Sequence, residues 1–140
     1  SVVKSIENPE HVDRVNRLGF INILNAAQKH GVKRVIYASS SAVYGDGDAH
    51  PRCETDTPQP KSPYASGKLS NEADAKSANI ETVGLRYFNI YGPRQDPQGD
   101  YAAVIPKWIN ALKHNDQIVI YGDGETVRDF CHIEDVVQAN

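Results

Sequence analysis

Three groups of side chains in the sequence are suited to moving a proton together. Tyr64 and Lys68 stand four residues apart, and a serine triplet, Ser39 to Ser41, lies upstream of them. Residues at i and i+4 share one face of a helix, so the phenol and the ammonium can point into one pocket. A nearby cation favours the phenolate, and a serine hydroxyl beside the same substrate oxygen can donate or accept a hydrogen bond while the proton moves. We therefore predict a general acid–base site.

A tyrosine and a lysine at this spacing also occur together by chance, because the chain has seven tyrosines and ordinary lysine usage. The order of the surrounding patterns strengthens the signal. A helical pattern and a strand-like run precede the serine triplet, which is followed by Val43-Tyr44-Gly45 and a polar loop. The pair then opens a second helix, and this order favours a catalytic pair over a chance one.

Composition and charge narrow the class of protein. The chain has 140 residues, of which 39% are hydrophobic, enough for one compact domain with a core. The formal net charge is −3, and lysine and arginine are spread without a basic stripe, so nothing favours nucleic-acid binding. Cys53 and Cys131 are isolated thiols without metal-ligand spacing. We predict neither a metal site nor a disulfide.

The apolar runs indicate where the protein resides. None approaches the roughly 20 residues of a membrane-spanning helix, and no signal-peptide pattern is present. We predict a cytoplasmic protein without membrane contact. The pattern begins with a helix near His11 and no strand before it, so we interpret the chain as a piece of a longer protein.

Apolar periodicity and turn residues predict alternating helices and strands. In chain order they predict a helix over His11–His30, a strand over Val32–Ser39, a loop over Gly45–Ser62, a helix over Tyr64–Ser77 and a strand over Glu81–Tyr87. After a loop from Pro93, they predict a helix over Pro106–His114, a strand over Gln117–Tyr121, an extended piece over Thr126–Cys131 and a helix start over Ile133–Asn140.

This alternation predicts an α/β fold with a partial doubly wound parallel sheet. Ligands of such sheets lie beyond the carboxyl ends of the strands. The serine triplet lies at one such end, and residues 87–94 follow another. Both segments are therefore candidates for the functional site.

Five blocks of residues, taken in order, resemble one known family. The blocks are Asn16-Arg17-Leu18-Gly19; Ser39-Ser40-Ser41-Ala42-Val43-Tyr44-Gly45; Pro63-Tyr64-Ala65-Ser66-Gly67-Lys68-Leu69 with Glu72; Leu85-Arg86-Tyr87-Phe88-Asn89 through Gly92-Pro93-Arg94; and Val127-Arg128-Asp129-Phe130. The chain resembles the extended short-chain dehydrogenase/reductases, and among them the nucleotide-sugar epimerases. From Asp100 to the end it is most similar to bacterial UDP-N-acetylglucosamine 4-epimerases of polysaccharide biosynthesis.

The resemblance implies a Rossmann-type fold that binds NAD. Residues 1–92 would be the C-terminal part of the NAD-binding domain, with the catalytic residues. Residues 93–132 would begin the nucleotide-sugar-binding region, and 133–140 would start a helix returning to the Rossmann domain. The family's glycine-rich phosphate-binding turn and its first βαβ unit have no counterpart in the 140 residues, so we expect this piece alone to bind NAD poorly and to be inactive.

The resemblance also implies a reaction. Tyr64 would take the proton from the sugar 4-hydroxyl while hydride passes to NAD, giving a 4-keto intermediate that is then reduced on its other face. Lys68 would hold the nicotinamide ribose and keep Tyr64 ionised. Ser40 would hydrogen-bond the sugar O4, and Ser41 is the second candidate. Ser40 as a simple strand-end cap is the alternative.

Further contacts follow from the same resemblance. Asn89 would contact the sugar and phosphates, Arg128 the diphosphate and Tyr121 the uracil ring. The residues implied in cofactor binding, besides Tyr64 and Lys68, are Asn16, Ser39, Tyr87 and Phe88. The alternatives are an ion pair with Asp129 for Arg128, a solvent-facing position for Asn16 and a place in the core for Phe88.

These assignments predict an isomerase of the UDP-hexose 4-epimerase type, a homodimer when full length, with a UDP-sugar as substrate. Dehydratases of the family place Asp and Glu where this chain has Ser41 and Ala42, so dehydration is disfavoured. A UDP-glucuronate epimerase or a decarboxylase is the alternative within the family. A catalytically idle NAD-binding sensor would be expected to have lost Tyr64, Lys68 or the serines, and all are present.

Overall fold

The computed structural model describes residues 2–46, 51–99 and 102–140. The chain forms two compact units, residues 1–87 and 88–140. This division follows from packing. The predicted boundary at residue 92, between the NAD-binding part and the sugar-binding part, is a separate, functional division and stays a prediction.

The first unit opens with helices α1 (Val2–Glu7) and α2 (Pro9–Asp13), a π-helical turn (Arg14–Leu18) and α3 (Gly19–Lys29). The last three are continuous, so the predicted helix over His11–His30 is confirmed, with an earlier start. Asn8 caps α2 by accepting a hydrogen bond from the His11 N–H at 3.1 Å, and Pro9 occupies the first turn, where its missing N–H costs nothing. The sequence pattern did not predict α1 or the π-helical turn.

A parallel βαβ unit follows. Strand β1 (Arg34–Ala38) pairs with β2 (Glu81–Leu85), and Ile36 lies opposite Val83. Helix α4 (Pro63–Ser77) connects them. The predicted parallel α/β arrangement is therefore confirmed. Because both strands run the same way, the residues that follow Ala38 and Leu85 emerge at one edge of the sheet.

Two close contacts fix this unit internally. Tyr37 stacks at a tilt on Phe20, with ring centroids 4.9 Å apart. Its phenol occupies the space where a side chain at Gly84 would stand, since a Cβ there would lie 2.5 Å from the Tyr37 hydroxyl. Gly84 is therefore required by packing of the neighbouring strand.

A 3₁₀ helix (Ser41–Tyr44) and a loop join β1 to α4. Gly45 ends the 3₁₀ helix with a φ of 67°, and a Cβ at this position would lie 2.0 Å from the Gln59 carbonyl oxygen. The Gln59 N–H donates to the Val43 carbonyl at 3.0 Å. The described parts of the predicted loop thus pack against the end of the serine segment.

The second unit contains a short parallel pair, β3 (Asn89–Tyr91) with β4 (Phe130–His132), and helices α5 (Val104–His114) and α6 (Ile133–Ala139). Asn115 follows the last residue of α5 and takes the left-handed conformation with a φ of 57°, as asparagine often does. The side chain of Ile133 packs against Gly92, and a Cβ at Gly92 would lie 2.3 Å from the Ile133 Cγ2. Helices are thus found where α5 and α6 were predicted.

Two strand predictions need correction. The predicted strand over Gln117–Tyr121 is wrong, because these residues pair with no strand in the described part of the chain and Tyr121 is 88% exposed. β-branched composition favours a strand but supplies no partner for its backbone. The predicted strand over Glu81–Tyr87 ends at Leu85, and β3, which follows it, was not predicted.

Across residues 2–46, 51–99 and 102–140, no helix combines the length and apolar character needed to cross a membrane.

Candidate active site

Tyr64 and Lys68 lie in the first turns of α4, as the sequence predicted. Ser62 begins the helix by accepting a hydrogen bond from the Ala65 N–H at 3.1 Å, and Pro63 follows it in the first turn. This is the expected order of a capping residue and a proline at a helix start. The Lys68 Nζ lies 5.8 Å from the centre of the Tyr64 ring. The i, i+4 spacing therefore places the Lys68 ammonium beside the Tyr64 ring.

The Lys68 ammonium is fixed at the end of β1. Its Nζ donates a hydrogen bond of 2.7 Å to the carbonyl of Ala38, the last residue of that strand. Partial burial lowers the pKa of Lys68, because desolvation disfavours the charged form. An ammonium has three N–H donors, so two remain for other acceptors. This arrangement anchors the cation beside the strand end from which the serines follow.

A cavity of about 240 Å³ adjoins this pair. Asn16, Tyr64 and Lys68 all line it, so three residues predicted to contact the cofactor meet there. Asn16 belongs to the π-helical turn, and its carbonyl accepts a hydrogen bond of 3.4 Å from the Asn71 amide. Turns of this kind often occur at functional sites. The assignment of Asn16 to the cofactor stays a prediction.

The three serines have different surroundings. Ser39 is buried, and its hydroxyl donates to the Glu72 carboxylate. The Ser40 Oγ accepts a hydrogen bond of 3.2 Å from the Ala42 N–H and so caps the 3₁₀ helix. That bond uses a lone pair and leaves the hydroxyl proton able to donate. Ser41 donates its backbone N–H to the Tyr87 carbonyl at 2.9 Å. The Ser39 proton is therefore committed to Glu72, whereas the hydroxyls of Ser40 and Ser41 can still donate, and only the Ser40 Oγ is held by a hydrogen bond among the described residues.

Glu72, which accepts the Ser39 hydrogen bond, also forms an ion pair with Arg86. The Arg86 Nε and Nη2 donate to the two Glu72 oxygens at 2.9 and 2.7 Å, a bidentate geometry. The arginine lowers the pKa of Glu72, and the carboxylate raises that of Arg86. The Arg86 guanidinium also lies 4.7 Å from the centre of the buried Tyr44 ring. Glu72 and Arg86 both belong to the residue blocks that resemble the family, but no role was predicted for them from the sequence.

This ion pair joins the elements that carry the site. Glu72 lies on α4, one turn after Lys68, while its partners Ser39 and Arg86 directly follow the two strands. A partly buried, bidentate pair is costly to break from one side, because the other charge is left without a partner. The network therefore fixes the distance between the serine segment and the helix of Tyr64.

Replacing Glu72 tests this network. Glu72→Gln keeps the size of the side chain but loses the charge, so we expect a loss of about 1.5–3 kcal/mol in the free energy of unfolding at pH 7. Because folding lowers the pKa of Glu72, its stabilisation is present above the ordinary value of 4.5 and is lost as pH falls through the lowered pKa. The difference between wild type and variant should shrink in acid.

Glu81→Gln is the matched control, since Glu81 forms an exposed 2.6 Å pair with Arg34, and exposed pairs contribute little. Urea unfolding of the three proteins between pH 3 and pH 7 measures both effects. Equal losses in the two variants, or a Glu72 effect independent of pH, would show that the network does not stabilise the fold.

The remaining predicted site residues belong to the second unit. Asn89 donates its side-chain amide to the Asp129 carbonyl at 2.8 Å, and its backbone N–H bonds the same oxygen. Arg128 is exposed and donates to its neighbour's carbonyl, that of Val127, at 2.8 Å. Tyr121 extends into solvent. A sheet contact thus places Asn89 beside the segment of Arg128, whereas Tyr121 has no such anchor in the described residues.

The second unit also has a cavity of about 450 Å³. It lies between the segment 91–97 and helix α5, and His132 closes one side. None of Asn89, Tyr121 and Arg128 lines it. The residues predicted to contact the substrate therefore lie outside this cavity.

Comparison with known proteins identifies the family. The model of the NAD-dependent epimerase/dehydratase family matches residues 1–140. A putative UDP-glucose 4-epimerase of Methanocaldococcus jannaschii is 41% identical over 100% of this chain and 47% of its own length. The chain belongs to this family, and the predicted resemblance is confirmed. It spans about half the length of the relatives that it matches.

Solved structures agree. A UDP-N-acetylglucosamine 4-epimerase from Methanobrevibacter ruminantium, in complex with UDP-N-acetylmuramic acid, superposes with a TM-score of 0.94 at 40% identity, covering 100% of this chain and 46% of that one. A UDP-glucose 4-epimerase of Thermus thermophilus, solved with NAD, gives a TM-score of 0.85 at 37% identity, covering 99% and 48%. The fold is therefore of the Rossmann type, and NAD is the cofactor of the family. Other matches are described as nucleotide-sugar decarboxylases and dehydratases.

The residues of the first unit fit the nicotinamide end of NAD. Lys68 has two N–H donors beyond its bond to Ala38, and the Asn16 amide and the Tyr64 phenol lie on the same cavity. Such groups can donate hydrogen bonds to the hydroxyl oxygens of a ribose. When bound, NAD supplies the redox chemistry that no side chain of the protein can perform.

Proposed function

We propose that the natural full-length protein is a UDP-sugar 4-epimerase that acts through a 4-keto intermediate. The observation that carries the proposal is the position of Lys68, whose ammonium is bound to the end of β1 and lies 5.8 Å from the Tyr64 ring. The ammonium thus lies beside the phenol that would exchange a proton with a sugar hydroxyl. Ser40 then donates to the same sugar oxygen.

Each of these side chains has one task. Tyr64 accepts the proton of the 4-hydroxyl and later returns it, so the same group serves as base and acid. Lys68 would hold the ribose of NAD and places a positive charge beside the Tyr64 ring. Ser40 orients the sugar oxygen without reacting, because its Oγ is held by the Ala42 N–H. Oxidation at C4 followed by reduction on the opposite face of the sugar inverts that carbon and no other.

The proposed substrate pair is UDP-N-acetylglucosamine and UDP-N-acetylgalactosamine. Support comes from the Methanobrevibacter ruminantium relative, which is named for that sugar, and from the sequence of the segment 100–108. Asp100 and Tyr101 of that segment lie outside the described residues. Because other relatives are described as UDP-glucose 4-epimerases, UDP-glucose is the alternative substrate.

Dehydration and decarboxylation are the competing reactions within the family. Eliminating water from the sugar needs an acid and a base beside the serine. At the two positions after Ser40 the chain has Ser41, whose backbone is tied to Tyr87, and Ala42, whose N–H caps Ser40. Neither side chain titrates near neutral pH, which favours epimerisation over dehydration.

Arg128 is proposed to bind the diphosphate. Arg128→Ala should weaken UDP-sugar binding about tenfold or more, since a charge-assisted bidentate contact contributes roughly 1.5–3 kcal/mol. Arg128→Lys should recover only part of the affinity, because lysine keeps the charge but loses the planar fork. Arg34→Ala is the control, since Arg34 is also an exposed arginine but lies in the first unit, paired with Glu81. Calorimetry with UDP measures all three. Equal affinity in Arg128→Ala and wild type would remove Arg128 from the site.

A substrate panel tests the proposed function. The full-length protein is incubated with UDP-N-acetylglucosamine, UDP-glucose and UDP-glucuronate under identical conditions, and the products are resolved by chromatography. We expect the highest kcat/KM for the acetylated sugar, with its C4 epimer as product. Much faster turnover of UDP-glucose would contradict the substrate but keep the epimerase. Accumulation of a dehydrated or decarboxylated sugar would contradict the epimerase itself.

A further inference from the structure

Ser5, on helix α1, contacts the backbone of Tyr64. Ser5 is completely buried, and it lies 59 residues before Tyr64 in the sequence. Its Oγ accepts a hydrogen bond of 3.1 Å from the Tyr64 N–H and donates one of 2.6 Å to the Val2 carbonyl. The hydroxyl is therefore fixed in orientation, because its proton is committed to Val2 and a lone pair points to Tyr64.

The Tyr64 N–H differs from the other donors at the start of α4. First-turn N–H groups have no partner within their own helix. Pro63 has no N–H, and Ser62 satisfies the two donors after Tyr64: its Oγ accepts from the Ala65 N–H at 3.1 Å and its backbone carbonyl from the Ser66 N–H at 2.9 Å. The Tyr64 N–H, by contrast, is satisfied by a side chain from another helix. Ser5 thus joins α1 to the residue on which the proposed chemistry depends.

We propose that Ser5 is a positioning residue for Tyr64. This inference rests on the proposed function, in which the Tyr64 phenol moves the proton. The first turn of a helix frays readily when its donors lack partners, and a shift of about 1 Å in a reacting group can lower a rate about a hundredfold. By fixing the backbone at Tyr64 itself, Ser5 fixes the origin of the side chain. Its effect is on the proton-transfer step rather than on the nucleotide contacts.

Two alanine variants of the full-length protein separate positioning from helix capping. Ser5→Ala and Ser62→Ala each remove one serine cap from the first turn of α4, but only Ser5 bonds Tyr64. Ser5→Ala should lower kcat by about tenfold or more while KM changes less than about twofold. Ser62→Ala should lower kcat less than about threefold at a comparable loss of thermal stability. Equal losses of kcat in both variants, or a loss in KM alone, would overturn the inference.

Amide exchange keeps this test distinct from the test of the proposed function. If the wild-type protein epimerises no UDP-sugar, the proposed function fails, and the role of Ser5 is then judged by exchange of the Tyr64 amide, measured by NMR. Ser5→Ala should accelerate that exchange about tenfold or more and leave the Ala65 amide unchanged. Unchanged exchange at Tyr64 would overturn the inference whichever reaction the protein catalyses.

Discussion

Tyr64→Phe is expected to lower kcat by about 10²–10⁴-fold in the full-length protein, because general acid–base catalysis contributes on that order. The variant removes the only oxygen of the side chain and keeps the ring, so UDP-sugar affinity should be retained and the free energy of unfolding should change by less than about 0.5 kcal/mol. Steady-state kinetics and UDP calorimetry measure the two quantities separately.

Tyr37→Phe is the control for this variant. Tyr37 also lies in the first unit, but its phenol packs against Gly84 in the sheet and is assigned no chemistry. Its loss should leave kcat unchanged. A kcat within about threefold of wild type in Tyr64→Phe would show that another group transfers the proton.

Lys68→Met should separate activity from stability. We expect kcat to fall by about a hundredfold, since the proton-transferring side chain loses its neighbouring cation and the ribose loses its donor. Stability should not fall, because burial lowers the pKa of Lys68, which means that the protonated side chain is solvated less well in the folded protein than in the unfolded chain. Methionine fills similar space without that cost.

Lys76→Met is the matched control, because Lys76 is exposed in the last turn of the same helix. It should leave kcat unchanged and slightly lower the melting temperature, since a cation in the last turn stabilises the helix through its dipole. If Lys68→Met unfolds at a clearly lower temperature than Lys76→Met, the lysine is mainly a structural contact to Ala38 rather than a catalytic cation.

The sequence predicted those parts of the site that depend on local order. Pro63 suits the first turn of a helix, and helical spacing then brings Tyr64 and Lys68 together, as the structure shows. The parallel pairing of β1 and β2 follows from their alternation with this helix. Local signals were sufficient because each of these features is decided within a few residues.

Contacts over long sequence distances could not be predicted in this way. The motif Ser39 to Ser41 shows three equivalent hydroxyls, and only packing reveals that Ser39 is committed to Glu72 while Ser40 caps a 3₁₀ helix. The role of Ser5 depends on a partner 59 residues away. The segment 117–121 has the composition of a strand, but strands form by pairing, and composition carries no information about a partner.

The fate of the hydrogen on C4 tests the central claim most directly. UDP-N-acetylglucosamine deuterated at C4 is incubated with the full-length protein in ordinary water, and the UDP-N-acetylgalactosamine formed is examined by NMR and mass spectrometry. Oxidation and reduction at C4 within one closed site predict that the product keeps the deuterium at C4, now on the opposite face. A product that carries hydrogen from water at C4, or an absence of interconversion, would contradict the 4-epimerase assignment.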